Sequence, residues 1–225
     1  MALVLHYHPL SSFCHKVLIA LYESGTAFEP VMVNLGDPAE RTAYLEISPM
    51  GKIPALQDDG RAIVETSIQI EYLDQYHPGT RKLLPANAGR CLEARLWDRL
   101  FDLYIELPMQ KIGADAMRTE GERDPRGVAD ARDGLNAAYP MIERQLSGKT
   151  WAVGDDFTIA DCAAAPGLFY ASILEPFAAY PNLSAYFERL LAWPSYDRVL
   201  REAQPFFEYY PYYRNMPERF RNWGL

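Results

Sequence analysis

Cysteine is scarce in this chain of 225 residues. There are three, Cys14, Cys91 and Cys162, far apart and without a CxxC pair. So sparse and odd a set argues against a disulfide framework or a thiolate zinc site, and no metal is expected. Basic charge is also in the minority: 22 Lys and Arg stand against 30 Asp and Glu, for a formal net charge of -8. No run of Lys or Arg reverses that balance locally, so the field repels DNA and anionic lipid, and neither nucleic acid nor membrane is expected as a partner. Long apolar runs are missing too. The longest late uncharged stretch, Cys162 to Leu174, falls short of the roughly 20 residues that span a bilayer. "MALVLHYHPL" has no basic region ahead of a long apolar core. It does not read as a secretory signal, and a reducing cytoplasm is the expected location.

What is present is a chain built to pack. Hydrophobic residues make up 49% and charged residues 23%, in the range of a folded globule, and the length allows one large domain or two small ones.

The first eighty residues alternate short strands with helices. Leu3, Leu5 and Tyr7 alternate with Val4 and His6 as a strand, and Cys14, Val17, Leu18 and Leu21 follow at helical spacing up to a stop at Ser24-Gly25. "FEPVMVN" is a second strand, and Ala39 to Ile47 a short helix. "IPALQ" and "AIVE" flank the turn "DDGR", which predicts an antiparallel hairpin, and Thr66 to Tyr76 is again a helix. A parallel βαβ crossover joined to a hairpin gives a mixed four-stranded sheet with helices on its faces. After the linker "GTRKLLPANAGR" the pattern becomes helical throughout. Leu92, Leu96, Leu100, Leu103 and Leu107 lie along one face of a long helix, Leu135, Ile142 and Leu146 mark another, and Leu183, Phe187, Leu190 and Leu191 a later one. The predicted organisation is an α/β domain over 1–80, a linker over 81–89 and an all-α domain over 90–225.

Chemistry-bearing residues concentrate at "HPLSSFCHKVLIALYESG", where Ser11, Ser12 and Cys14 meet a helix start between His8 and His15. Ser is a favoured N-cap, so Ser11 or Ser12 has a structural reading as well as a reactive one. A Ser–His hydrolase using His8 or His15 is disfavoured, because no GxSxG elbow is present and no carboxylate is placed to orient an imidazole. "FTIAD" has the form of a capping box, Thr158 with Asp161, which assigns Asp161 a structural role.

Three separated motifs, "SSFCHKV", "SPMGKIPAL…DGRAIVETSIQIEYL" and "VGDDFTIAD", together resemble the cytosolic glutathione transferases of the serine type, akin to the theta, delta and zeta classes. The resemblance covers essentially the whole chain. It implies a thioredoxin-like N-terminal domain, a C-terminal helical bundle, glutathione as cosubstrate, a role in detoxification and a homodimer. It also implies that Ser11 stabilises the glutathione thiolate, with Lys16 in the register of a family basic residue and Ser12 as the neighbouring alternative and a second ligand to glutathione. Zeta-like members follow the paired Ser with Cys, where this chain has Phe13. In the family the Pro matching Pro54 is cis, and the backbone of the preceding residue, Ile53, pairs with the peptide. Lys52 reaches a ligand carboxylate, Glu65 holds the γ-glutamyl ammonium, and Thr66 and the helix N-terminus receive its carboxylate. Tyr104, Met109 and Met117 are candidates to line the site of a hydrophobic electrophile, and the aromatic tail from Phe206 to Trp223 to roof it, against the alternative that both are plain packing. Asp98 or Asp102 would reach the partner's site. Cys14 in monothiol redox chemistry is weighed against Cys14 as a buried small residue. A glutathione-dependent isomerase or reductase, and a non-catalytic glutathione-binding or regulatory module, remain the other readings.

Overall fold

In the computed structural model, which describes residues 3–224, strand β1 (Val4–Tyr7) lies at the centre of a four-stranded sheet ordered β2-β1-β3-β4. Met1, Ala2 and Leu225, the outermost residues of the two expected domains, lie outside the described residues. Helix α1 (Ser12–Ser24) carries the chain to β2 (Glu29–Met32), which pairs parallel to β1 with Val4 opposite Glu29. Gly25 ends α1 at φ 69°, and its N–H closes onto the Leu21 and Tyr22 carbonyls. This left-handed cap suits glycine, which has no Cβ to clash. Helix α2 (Pro38–Leu45) follows, then β3 (Ala55–Asp58) and β4 (Arg61–Ile63), antiparallel as predicted. The hairpin turns on Asp59 and Gly60, both at positive φ, the geometry that matches the twist of the strands. Helix α3 (Thr66–Tyr76) completes this half.

The remainder of the described chain is helical: α4 (Ala88–Phe101), a π-helical turn (Asp102–Glu106), α5 (Leu107–Ala116), α6 (Pro125–Gln145), α7 (Ile159–Leu174), α8 (Pro181–Leu191) and α9 (Pro194–Ala203). Helix α7 is buried nearly all round, as its run of Ala, Leu and Phe dictates. It packs against α1, α4, α5, α8 and the π turn, so one hydrophobic core joins both halves. At its start Asp161 is buried. Its carboxylate accepts from the Thr158 N–H (2.8 Å), the Thr158 hydroxyl (3.1 Å), the Ala152 N–H (2.9 Å) and the Tyr186 hydroxyl (2.6 Å). Among the described residues no helix is long and apolar enough to cross a membrane.

The leucine face of α4 and α5 points outward. Leu92, Leu96, Leu103 and Leu107 are exposed, while Ala94, Trp97, Phe101, Ile105 and Met109 are buried. The inward face also carries Asp98, Asp102 and Glu106. These acids sit inside because α1 supplies their partners: buried Lys16 takes the two aspartates and Ser12 takes the glutamate. The π turn adds a residue to one helical turn and sets that register.

Candidate active site

The turn that ends β1 presents the N-terminus of α1 to a cavity of about 440 Å³ between the two halves. Ser11, Lys52, Ile53, Pro54, Glu65 and Thr66 all line it. Six residues spread over 56 positions of sequence are thus gathered by the sheet, because β1 and β4 end, and β3 begins, at the same edge.

Ser11 is the N-cap of α1: its Oγ accepts the Cys14 N–H at 3.3 Å. A hydroxyl has one donor and two acceptor sites. Capping uses an acceptor, so the cap bond does not consume the single O–H donor of a residue that lines the cavity. The two readings of this serine are therefore compatible. Ser12, expected as a second ligand to glutathione, turns the other way. It is buried, its hydroxyl donates to the Glu106 carboxyl, and it does not line the cavity.

The turn itself is held on every side. The Ser11 N–H donates to the His8 carbonyl (3.0 Å), the Leu10 N–H to His8 Nδ1 (3.2 Å), and the His8 N–H reaches Cys14 Sγ (3.5 Å). From outside, His15 Nε2 donates to the Pro9 carbonyl (2.6 Å) and the Tyr170 hydroxyl to the Leu10 carbonyl (3.0 Å). Both histidines flanking the serines hold backbone. His15 is kept neutral by burial, with its pKa lowered to about 4 despite the Pro9 bond. Cys14 is fully buried, and burial pushes its thiol up to about 12 against the hydrogen bonds from Ser11 and His8. A thiol so buried and protonated is a poor nucleophile, which favours the reading of Cys14 as a buried small residue.

Opposite Ser11 the Ile53–Pro54 peptide is cis, as the resemblance implied. Among the described residues no backbone hydrogen bond engages Ile53. Gln69, which sequence reasoning passed over, fixes this segment: its buried amide donates to the Pro54 carbonyl (2.9 Å) and the Ile63 carbonyl (3.1 Å). Glu65 links β4 to α3 at φ 67°, a conformation that costs a non-glycine residue of order 1–3 kcal/mol and concentrates at functional sites. Thr66 opens α3, so its hydroxyl and the helix N-terminal N–H groups meet at the cavity.

The helical half contributes Arg99, Asp102, Leu103, Leu107 and Gln110. Tyr104, Met109 and Met117 do not line this cavity: Met109 is in the core, and Tyr104 and Met117 are exposed elsewhere. The π turn explains the difference, since it shifts which positions face α1. Asp98 and Asp102, expected on the surface facing a partner, are buried against Lys16 of their own chain at 2.6 and 2.8 Å. Burial disfavours the Lys16 charge, yet the two carboxylates outweigh it and hold its pKa above the ordinary value. Most of the tail packs on its own domain, with Phe207 and Phe220 buried against Phe169, while Phe206 packs on His8 of the other half; among the described residues no tail residue lines the cavity.

Residues 5–81 match the family model for the glutathione S-transferase N-terminal domain, and residues 101–194 the model for its C-terminal domain. A glutathione S-transferase from Pseudomonas putida is 31% identical over 159 residues, covering 71% of this chain and 70% of that one. A probable maleylacetoacetate isomerase from Caenorhabditis elegans is 30% identical over 206 residues, covering 90% and 94%. A glutathione S-transferase from Methylobacterium radiotolerans, solved in complex with glutathione sulfonate, superposes with a TM-score of 0.78 at 31% identity, covering 88% of this chain and 94% of that one. With the sheet, the cis-proline segment and the serine at the head of α1 already in place, these likenesses carry the assignment: the chain belongs to the glutathione S-transferase family and is a glutathione transferase.

Proposed function

We propose that Ser11 donates a hydrogen bond to the glutathione sulfur, holds it as thiolate, and so readies it to attack a hydrophobic electrophile. The observation that carries this reading is the position of Ser11, which lines the cavity at the head of α1 while its cap bond takes up only an acceptor site of its hydroxyl. A free thiol has a pKa of about 8.5, and lowering it by about two units needs roughly 2.7 kcal/mol. A hydrogen bond to a charged group contributes about 1.5–3 kcal/mol and a helix N-terminus about 0.3–2 kcal/mol. Together they suffice without a general base.

Glutathione would lie along the cavity in one direction. Its γ-glutamyl carboxylate meets Thr66 and the N-terminus of α3, and its ammonium meets Glu65 and Asp102. Its cysteinyl backbone pairs with Ile53 like an added strand, and Lys52 takes the glycyl carboxylate. Phe13, Leu35, Leu103 and Leu107 leave an apolar wall for the electrophile. The enzyme works as a cytoplasmic homodimer, and the exposed Leu92 and Leu96 of α4 mark the surface that supports the dimer.

The test is the ultraviolet absorbance of bound glutathione thiolate titrated against pH. Ser11→Ala should return the thiol pKa toward its free value and lower turnover by about tenfold to a hundredfold, the equivalent of about 1.5–3 kcal/mol. Bound glutathione with an unshifted pKa in the wild type would remove the catalytic role.

A second reading is isomerisation of a conjugated cis double bond by reversible thiolate addition, supported by the 30% identity to the probable maleylacetoacetate isomerase. Turnover of such a substrate with glutathione regenerated would favour it. Net consumption of glutathione by an aryl or alkyl halide would favour transfer.

A further inference from the structure

The Ser11 hydroxyl is only as well placed as the turn that carries it. That turn, His8–Pro9–Leu10–Ser11, joins β1 to α1. Its first residue closes it twice, by the carbonyl that receives the Ser11 N–H at 3.0 Å and by the ring nitrogen that receives the Leu10 N–H at 3.2 Å. The second bond is unusual in what it demands. A backbone N–H can only donate, so Nδ1 must carry a lone pair, and the imidazole must be neutral. Adding a proton turns the acceptor into a donor facing another donor.

We propose that His8 is a positioning residue for Ser11: its neutral ring fixes the turn that aims the serine hydroxyl at the glutathione sulfur, and protonation of that ring releases the turn. The inference rests on the catalytic reading of Ser11 given above.

The surroundings of His8 fit this role. The ring is half-buried, with Phe206 of the C-terminal tail packed edge-on against it at 5.8 Å between centroids. From α1, the Cys14 thiol meets its backbone N–H and stays protonated. Among the described residues no carboxylate or cation acts on the ring, so burial alone lowers its pKa below 6.5, and the neutral form persists through neutrality. His15 and Tyr170 hold the Pro9 and Leu10 carbonyls, but neither reaches the Leu10 N–H. Among the described residues only His8 satisfies that donor. The tail thereby acquires a link to the site that lining the cavity would not give it: Phe206 steadies the ring that steadies the serine turn.

Asparagine supplies the discriminating variant. Its side-chain oxygen accepts from the N–H two residues on, in the geometry His8 Nδ1 uses here, and it does not titrate. His8→Asn should keep near wild-type turnover at neutral pH, while His8→Ala should lose about tenfold in kcat, the effect of one hydrogen bond, with a smaller change in glutathione affinity. Below neutrality the wild type should lose kcat/KM with a two-proton slope, one proton from the thiol and one from His8, and His8→Asn with a one-proton slope. In nitrogen-15 spectra of the wild-type protein, the Leu10 amide should titrate together with the His8 ring. A Leu10 amide indifferent to the His8 titration, or identical acid slopes in wild type and His8→Asn, would overturn the inference. The Leu10 measurement needs no substrate, so it stands apart from the Ser11→Ala thiol titration. An unshifted thiol in that titration would defeat the catalytic reading of Ser11 whatever the turn does.

Discussion

Lys16 Nζ lies 2.6 Å from Asp98 Oδ1, with both side chains all but removed from solvent. It also donates to Asp102 (2.8 Å) and to Ser67 (3.1 Å), and the Ser67 hydroxyl in turn donates to Asp98 (2.6 Å). This cluster ties α1 and α3 of the glutathione-binding half to α4 and the π turn of the helical half. It positions the cavity residue Asp102. Breaking a buried pair leaves an uncompensated charge, so Lys16→Met should cost roughly 3–5 kcal/mol of stability. Adding Asp98→Asn to that variant should recover part of the loss. Urea denaturation of the single and double variants would decide, and a loss below about 1 kcal/mol for Lys16→Met would contradict the assignment.

Glu106 gives a prediction in pH. Burial raises its pKa to about 8, against the lowering effect of the Ser12 bond. The folded value thus stands above the ordinary 4.5. The protonated carboxyl is the form the fold prefers. Its contribution is fully present below about 4.5 and is lost as pH rises through about 8. Glu106→Gln should flatten that part of the stability curve, by at most about 1.4 kcal/mol per pH unit. Denaturation midpoints of wild type and variant across the same pH range would show parallel curves if the carboxyl ionised normally.

Ser12 belongs to the same argument. Ser12→Ala removes a donor from a buried carboxyl and should cost about 1–3 kcal/mol of stability, while the folded variant keeps its glutathione thiolate. Ser11→Ala should instead lose the glutathione thiolate, at the stability cost of its helix cap, about 0.5–2 kcal/mol. Thiolate absorbance together with melting temperature separates the two serines, and an exchange of the two phenotypes would reassign the site.

Gln69 holds the Pro54 and Ile63 carbonyls and with them the Ile53 backbone. Gln69→Leu should weaken glutathione binding by about tenfold, or about 1.4 kcal/mol, with less effect on kcat once the site is saturated. Calorimetric titration beside steady-state kinetics would test this, and unchanged affinity would show that the segment holds its shape without the amide.

Leu92 and Leu96 are 70% and 53% exposed, on a face that none of the described residues covers. Arginine at both positions should convert a dimer to a folded monomer, read by sedimentation velocity with the circular dichroism of the wild type. An unaltered dimer would place the interface elsewhere.

The strands, the hairpin, the helix stops and the capping box were legible because each rests on short-range chemistry. Asp59-Gly60 suits a turn needing positive φ at both centres, Gly25 suits a left-handed cap, and Thr158 three before Asp161 suits a helix start. Ser11, Lys52, Ile53, Pro54, Glu65 and Thr66 were legible through the motifs that resemble the family, and the structure brings all six to one cavity. The helical side was not. Periodicity marks a leucine face on α4 but does not say that it faces outward, and no local signal announces a π turn.

By itself, then, the sequence determined two layers of structure and the half of the site that lies on the sheet, where spacing and turn chemistry act over a few residues. Tertiary structure alone decided which way each polar group points. Lys16 draws Asp98 and Asp102 inward from 82 and 86 positions away, Ser12 turns to Glu106 and leaves the cavity to Ser11, and Arg99 and Gln110 replace Tyr104, Met109 and Met117 on the far wall. The physical reason is desolvation. A buried charge or hydroxyl must find a partner, and that partner is chosen by packing between elements far apart in the chain.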